Sequence, residues 1–248
     1  MSEKIHKALA RAGYGSRRRL EEWIREGRVT VNGRPAHIGE RVSETDRIAV
    51  DGAQVTLAAP ALQRRVIAYH KPEGEICTAS DPEGRPSILQ NLPRLTGERW
   101  VTVGRLDLNT SGLVLATNDG ELAHRLMHPS GEVEREYAVR VLGRVTPAIL
   151  RKLTAGVKLE DGRAWFEALH DAGGRGANHW YHVVVREGRN RLVRRLWESQ
   201  GLKVSRLIRV RYGPITLPST LKAGHWKELA ARDLHALEKA VGLAATES

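Results

Sequence analysis

Between residues 64 and 213 apolar side chains recur at every second position in short runs, and a chain written in period two is committed to sheet. The runs are "RVIAYHKP", "RWVTV", "GLVLAT", "REYAVRVLGRV", "AWFEAL", "HWYHVVVREG" and "VSRLIRVRYG", divided by turns rich in Gly, Pro and Asp. Helical spacing is rarer. It is clearest over residues 119–128, where Asn118 and Glu121 have capping-box spacing, Leu122 and Leu126 share an inward face and Pro129 stops the turn. Further helices are expected over residues 147–155, 190–200 and 230–241. Residues 64–243 therefore read as a sheet-rich α+β domain.

The first 60 residues have another texture. "KIHKALARA" places Ile5, Ala8, Leu9 and Ala12 on one helical face and runs into Gly13, a natural residue just past a helix end. Ser16 is a candidate N-cap for a second helix, with Leu20, Trp23 and Ile24 as its apolar stripe and Gly27 as its end; "RVTVNGRPA" then reads as strand, Asn-Gly turn, strand. Lys4, Lys7, Arg11, Arg17, Arg18, Arg19, Arg25, Arg28 and Arg34 face only Glu3, Glu21, Glu22 and Glu26, a balance suited to phosphate. Three consecutive arginines at a helix N-terminus oppose the helix dipole, so a bound anion accounts for them better than solvation does. The pattern of Ala10, Gly13, Ser16, Arg17, Arg18, Ile24, Gly27, Val29, Val31, Asn32 and Gly33 resembles the S4 RNA-binding domain. That resemblance implies a small S4-like α/β domain over residues 1–60, with Lys4, Lys7, Arg11, Ser16, Arg17, Arg18 and Arg19 as RNA contacts.

Whole-chain charge points the same way. Forty Lys and Arg outnumber 29 Asp and Glu, giving +11, which calls for a polyanionic partner. No apolar run approaches the roughly 18 residues of a membrane span, and the N-terminus lacks the apolar stretch of a signal peptide, so nucleic acid in the cytoplasm is expected rather than a membrane. The single Cys77 can make neither an internal disulfide nor a cysteine metal site.

"WVTVGRLDLNTSGLVLAT", residues 100–117, interrupts two strands with a loop far longer than the two residues a plain hairpin needs. Arg105 and Asp107 project the same way in an extended segment, while Gly104, Gly112, Thr110 and Ser111 supply tight turns and local hydrogen bonds. Alone, Asp107 would read as a turn residue. Two other segments change that reading. In "EVEREYAVRV" Tyr137 falls on the face of Val139 and Val141, half buried with a hydroxyl able to reach a partner. In "REGRNRLVRRLWE" Arg189, Arg191, Arg194 and Arg195 crowd the entry to a helix. Nine Lys or Arg between residues 186 and 211 face only Glu187 and Glu198, so phosphates are the expected counter-charges and Arg191, Arg194 and Arg195 are candidate RNA contacts.

Together "GRLDLNTSGLVLATNDGELAHRLMHP", "EREYAV" and "EGRNRLVRRLW" resemble the three motifs of the RsuA/RluB family of bacterial ribosomal RNA pseudouridine synthases. "HKPEGEICTASDPEGRPSILQNLP" and "VSRLIRVRYGPITLP" are similar to its large-subunit branch, so the resemblance runs over nearly the whole chain. It implies a catalytic domain over residues 64–243 with a mixed, mainly antiparallel sheet and flanking helices. The implied activity converts a uridine of 23S ribosomal RNA, free or in a large-subunit assembly intermediate, to pseudouridine, with the enzyme expected to be a monomer. Residue by residue, Asp107 matches the catalytic aspartate, Arg105 the arginine that displaces the flipped base, Tyr137 the base-stacking tyrosine and Arg189 the arginine paired with the aspartate. Leu192 stands where a polar residue is common.

Elementary chemistry agrees with that mapping. Isomerising uridine breaks N1–C1′ and joins C1′ to C5, with no group lost and no redox change, so neither cofactor nor metal is expected. The reaction needs one carboxylate, kept ionised by a cationic neighbour, and an aromatic ring on which the unstacked base can rest. Glu121, His124 and His128 lie at i, i+3 and i+7 but lack the HExxH order and a third ligand, so no metal site is expected there. "GGRGAN", residues 173–178, lacks the ending of a phosphate loop and reads as a flexible turn. The rival reading is a non-catalytic S4-containing ribosome-assembly factor.

Overall fold

The computed structural model describes residues 2–43, 45–57, 63–78, 81, 83–96, 98–175 and 178–243. It divides into two compact units: Met1–Arg64 with Arg94–Arg99 and Asn118–Gly120, and Arg65–Pro93 with Trp100–Thr117 and Glu121–Ser248.

In the first unit β1 (Glu3–Lys4) leads into α1 (Ile5–Arg11), followed by α2 (Arg17–Arg25). The chain leaves α1 at Gly13 with φ +88°, and the Tyr14 amide reaches back to the Leu9 carbonyl at 3.1 Å. Ser16 caps α2, its Oγ accepting from the Arg19 amide at 3.2 Å. β2 (Val29–Val31) turns into β3 (Arg34–Pro35) through Asn32 and Gly33 at φ +50° and +83°, the left-handed pair that a tight hairpin demands. With β4 (Arg41–Val42), β5 (Ile48–Val50) and β6 (Ala53–Val55) these strands form a β1–β4 pair and a four-stranded sheet in the order β3-β2-β5-β6. Ile5, Leu9, Leu20, Ile24, Val29, Val31 and Ile48 make its core.

The second unit runs β7 (Val66–Lys71), β8 (Val101–Val103), β9 (Ser111–Thr117), α3 (Gly120–Met127), β10 (Arg135–Leu142), α4 (Pro147–Ala155), β11 (Val157–Leu159), β12 (Gly162–Ala164), β13 (Ala168–Arg175), β14 (Asn178–Val185), α5 (Leu192–Glu198), β15 (Lys203–Tyr212), β16 (Ile215–Thr216), β17 (Trp226–Glu228) and α6 (Ala231–Ala240). Nine strands form one sheet, ordered β13-β14-β10-β15-β9-β7-β17, with β8 added to β9 and β16 to β15. Every pairing in it is antiparallel except β15 with β9, which run parallel through Ile208↔Ser111 and Arg209↔Gly112. The sheet is mixed and mainly antiparallel, and its short parallel seam joins two antiparallel halves.

Period two decides what each face covers. Val139, Val141, Val183 and Leu207 pack under Leu192, Leu196 and Trp197 of α5 and Leu153 of α4. Leu113 and Leu115 of β9 pack under Leu122 and Leu126 of α3 and Leu237 of α6, while Val114 and Ala116, the alternate residues, join Ile67, Tyr69, Ile88 and Leu106. Two expectations need correction. "AWFEAL" is not one strand: β12 ends at Ala164, and the buried Phe166 turns inward with its amide bonded to the Leu153 carbonyl at 2.9 Å. Gly173 and Gly174, expected in a flexible turn, lie in β13 beside a register shift, where a Cβ at Gly174 would meet the Asn178 carbonyl oxygen at 2.5 Å. Residues 176 and 177 of that stretch lie outside the described residues.

Candidate active site

The loop between β8 and β9 is held by its main chain. Its turn at Gly104 has φ +77°, and the Thr110 amide closes back on the Asp107 carbonyl at 3.0 Å. Beneath it lies Lys71, fully buried, whose Nζ donates to the carbonyls of Pro72 at 2.9 Å, Asp107 at 3.2 Å and Thr110 at 2.9 Å. Burial pushes this ammonium down from the usual lysine range, and the nearby Cys77, Glu75, Glu73 and Asp107 oppose that. The Gly74 amide takes the Leu108 carbonyl at 2.9 Å, and Arg194 Nη2 takes that of Asn109 at 2.8 Å. Four consecutive carbonyls, from Asp107 to Thr110, are thus fixed by groups from three other places in the chain. Leu106 is buried among Ile67, Ile88 and Val114, and its amide donates to Cys77 Sγ at 3.4 Å.

The glycines of this loop do different work. Gly104 is free of neighbours and serves only the turn. Gly112, at φ +108°, serves a close approach: a Cβ there would lie 2.3 Å from the Arg209 carbonyl oxygen and 2.6 Å from its nitrogen. No side chain fits, so only glycine lets β15 run beside β9 at the end of the loop.

Asp107, half buried, lines a cavity of about 750 Å³ together with the exposed Arg105, with Tyr137, Thr110 and Leu207, and with Arg135, Arg209 and Tyr212. Tyr137 packs against both hydrophobic clusters that meet at the cavity, on the face it shares with Val139 and Val141. The structure therefore brings Asp107, Arg105 and Tyr137 to one place.

It does not bring Arg189 to the Asp107 carboxylate. Arg189 also lines the cavity, but Glu187 holds its guanidinium through two bonds of 2.6 Å, Asp161 Oδ1 adds one of 3.0 Å and the Arg163 carbonyl one of 2.9 Å. Hydrogen bonding to Glu187 raises this guanidinium above the usual arginine range, with burial opposing and Asp161 adding to the rise. The arginine beside the Asp107 loop is Arg194, buried, donating to the carbonyls of Val204 at 3.0 Å and Asn109 at 2.8 Å. Burial lowers it, the neighbouring Arg191 adds to that, and the Asp107 carboxylate is foremost among the charges that oppose.

The crowded arginines of this segment also find counter-charges within the protein. Arg195 grips Asp161 through bonds of 2.9 and 2.8 Å, and Arg191 meets Glu198 at 3.4 Å. Phosphates are not needed to explain Arg189 and Arg195. Asp161 comes from the turn between β11 and β12, a hairpin that the sequence patterning left unread although it carries an Asp-Gly pair. Lys71 and Cys77 were passed over as site residues; the only signal was their place in the "HKPEGEIC" block that the family resemblance singled out.

In the first unit Arg17, Arg18 and Arg19 are exposed, and none has an ion pair among the described residues. Arg19 lies over the Trp23 ring, 5.5 Å from its centroid. Arg11 is different, since its Nε donates to Glu3 Oε1 at 3.1 Å. His124 and His128, set aside as metal ligands, lie ring to ring at 5.4 Å, and His128 Nδ1 is 2.7 Å from Ser130 Oγ. No helix among the described residues is long and apolar enough to cross a membrane.

Known proteins match both the sequence and the fold of this chain. The family model described as RNA pseudouridylate synthase covers residues 65–199, and an S4 domain model covers residues 3–48. The chain belongs to the RNA pseudouridylate synthase family. It is 58% identical over 245 residues to the ribosomal large subunit pseudouridine synthase B of Pseudomonas aeruginosa, covering 98% of this chain and 64% of that protein; the chain thus spans just under two thirds of that relative's length. With the protein of the same name from Escherichia coli strain K12 it shares 57% over 246 residues, 98% of this chain and 84% of the relative. A crystal structure of a pseudouridylate synthase, 24% identical, has the same fold, with a TM-score of 0.66 over 94% of this chain and 99% of that one.

Proposed function

We propose that this chain isomerises a uridine of 23S ribosomal RNA to pseudouridine, with Asp107 as the carboxylate acting on the target nucleotide. The observation that carries this reading is the Asp107 loop itself. Four of its carbonyls are pinned by Lys71, the Gly74 amide and Arg194, so the carboxylate is presented to the cavity on a rigid support. The names of the relatives supply the RNA and the subunit. Tyr137 is suited to stack on the flipped uracil, which offsets about 1–3 kcal/mol of the cost of unstacking. Arg105, exposed at the mouth, is suited to fill the gap the base leaves. Arg194 replaces Arg189 as the cation that supports the Asp107 loop, and Arg189 becomes a clamp on the β11–β12 hairpin. Since substrate and product hold the same atoms, the reaction draws on no redox partner, and the S4 unit supplies RNA affinity outside the cavity.

Tritium release from ribosomal RNA labelled with 5-[³H]uridine reads the exchange of C5 hydrogen that follows C5–C1′ bonding. Wild type is expected to release it, and Asp107→Asn to fall below about 10⁻³ of that rate with RNA affinity within about twofold, as for the loss of a group the chemistry cannot do without. Wild-type turnover by Asp107→Asn would overturn the role of Asp107. No release by wild type would favour the assembly-factor reading.

A further inference from the structure

Two buried polar atoms on the cavity wall have no partner. Thr110 is 1% exposed and its Oγ1 makes no hydrogen bond; Arg209 is 2% exposed and its Nη2 makes none. Both residues line the cavity that holds Asp107 and Tyr137. They are neighbours by construction, because Arg209 is paired with Gly112 across the parallel seam and Thr110 stands at the start of the same strand. Elsewhere on the Arg209 fork, Nε donates to the Leu113 carbonyl at 2.7 Å, and the guanidinium lies 5.2 Å from the Tyr212 ring centroid. Arg135 lies against the same ring at 5.0 Å and donates to the Arg186 carbonyl and the Tyr212 hydroxyl. Among the described residues no carboxylate pairs with Arg209 or Arg135. The cavity wall is therefore cationic, and two donors on it stand unused, where buried polar groups are normally satisfied.

Resting on the isomerase reading above, we infer that Arg209 and Thr110 are catalytic residues that donate to the carbonyl oxygens of the uracil and stabilise the negative charge it carries once detached from the sugar. The step balances as follows. The N1–C1′ bond breaks with its electron pair leaving on the base, which becomes an anion delocalised over O2 and O4. The detached ring then turns, and C5 supplies the pair that forms C5–C1′. The C5 proton departs and N1 takes one up, so no charge is gained overall. Donors fixed where charge develops act most strongly in a site from which water is excluded, and here Lys71 holds the Thr110 carbonyl while Arg209 Nε is tied to the Leu113 carbonyl. Asp107 cannot serve in this way, since it offers a negative charge.

Single-turnover conversion of 23S ribosomal RNA transcripts, followed by mass spectrometry of the digested nucleosides, tests this. The transcripts are made with uridine or with 5-fluorouridine, whose fluorine carries part of the leaving base's charge; since C5 of the fluorinated base has no proton to lose, the rate there is read as loss of 5-fluorouridine to a nucleoside rejoined through C5 that keeps its fluorine. On uridine RNA, Arg209→Lys is expected to lose about 10²-fold and Thr110→Val about 10-fold in rate, the scale of a lost oxyanion donor, with RNA affinity within about twofold. Thr110→Ser, which keeps the hydroxyl, restores most of the rate. On fluorinated RNA both deficits shrink at least about threefold, because the base needs less help. Equal deficits on the two RNAs would mean that the residues merely hold the seam together, and wild-type rates would mean that they do nothing; either overturns the inference while the isomerase reading stands. Should Arg209→Lys fail to melt cooperatively, Thr110→Val decides the matter. Absence of conversion by wild type fells the isomerase reading and this inference with it.

Discussion

At the start of α2, Arg17 and Arg18 stand in solvent without a carboxylate in reach, whereas at the approach to α5 Arg189 and Arg195 are each held by protein carboxylates, Glu187 and Asp161. The two clusters are alike as strings of letters. What separates them is where the acids come from. The α2 cluster sits where its only acidic neighbours in sequence, Glu21 and Glu22, point elsewhere: Glu21 turns toward Arg25 at 3.8 Å. The α5 cluster receives Asp161 from a hairpin tip about 30 residues upstream, at 3.0 Å from Arg189 and 2.8 Å from Arg195. A cation density is evidence for an anionic ligand only after the fold has spent its own anions. By that measure the first cluster is left open to an anionic partner, and the second is scaffold, with Arg194 holding the Asp107 loop itself.

Replacing Arg194 tests the comparison hardest. Arg194→Ala leaves the Val204 and Asn109 carbonyls without their charged donor. A loss of about 3 kcal/mol in unfolding free energy is expected in denaturant titration, together with a fall in turnover of about 10²-fold or more. If Arg189→Ala proves the more damaging to turnover, the assignment of the two arginines is reversed.

The open cluster should answer in affinity and not in stability. Arg17→Gln with Arg18→Gln is expected to weaken binding to long ribosomal RNA about tenfold at moderate salt and to flatten the log–log salt dependence by about 0.7–0.9 per lost phosphate contact, while the melting temperature holds. Filter binding across a salt series measures it, and an unchanged slope would return these arginines to the status of a solvated helix face.

The smallest effect concerns the clamp. Hydrogen bonds from Arg195 hold the Asp161 carboxyl below the ordinary range, burial opposing and the charge of Arg189 assisting. A carboxyl depressed in the folded state stabilises it above the unfolded pKa of about 3.9, and that stabilisation fades as pH falls through the lower folded value. Asp161→Asn is therefore expected to melt slightly below wild type at pH 7, with the gap closing as the pH drops below about 4. Thermal melts at several pH values show it; a gap independent of pH would mean that Asp161 acts through hairpin shape rather than charge.

What could be read from the letters was what is local. The Ser16 cap, the Asn32-Gly33 turn and the period-two strands depend on residues a few places apart, and apart from "AWFEAL" each is found where spacing puts it. That Asp107 and Tyr137 line one cavity follows from contiguous motifs. Which arginine holds the Asp107 loop does not. Arg189 and Arg194 lie five residues apart on the way into one short helix, and which of them meets the loop is settled by how α5 packs on β15, a long-range fact. The hairpin that supplies Asp161 was missed because three-residue strands carry too few alternations to register. In isolation a glycine pair looks like a turn, while here Gly173 takes a φ of +80° within the strand and Gly174 lets the Asn178 backbone come close.

Gly112 lets β15 approach β9, and the seam it serves is only two residue pairs long. So short a ladder is a poor ruler. Each half of the sheet is well bound within itself, and sliding one half past the other by one residue, about 3.3 Å, would leave every antiparallel pairing intact. Such a slip would bring Ser111 or Leu113 against the Arg209 backbone, where no Cβ can be accommodated. The missing side chain acts as a detent: a notch into which the two halves drop, and which, with the Arg209–Leu113 bond, keeps Asp107 and Arg209 on the wall of the same cavity.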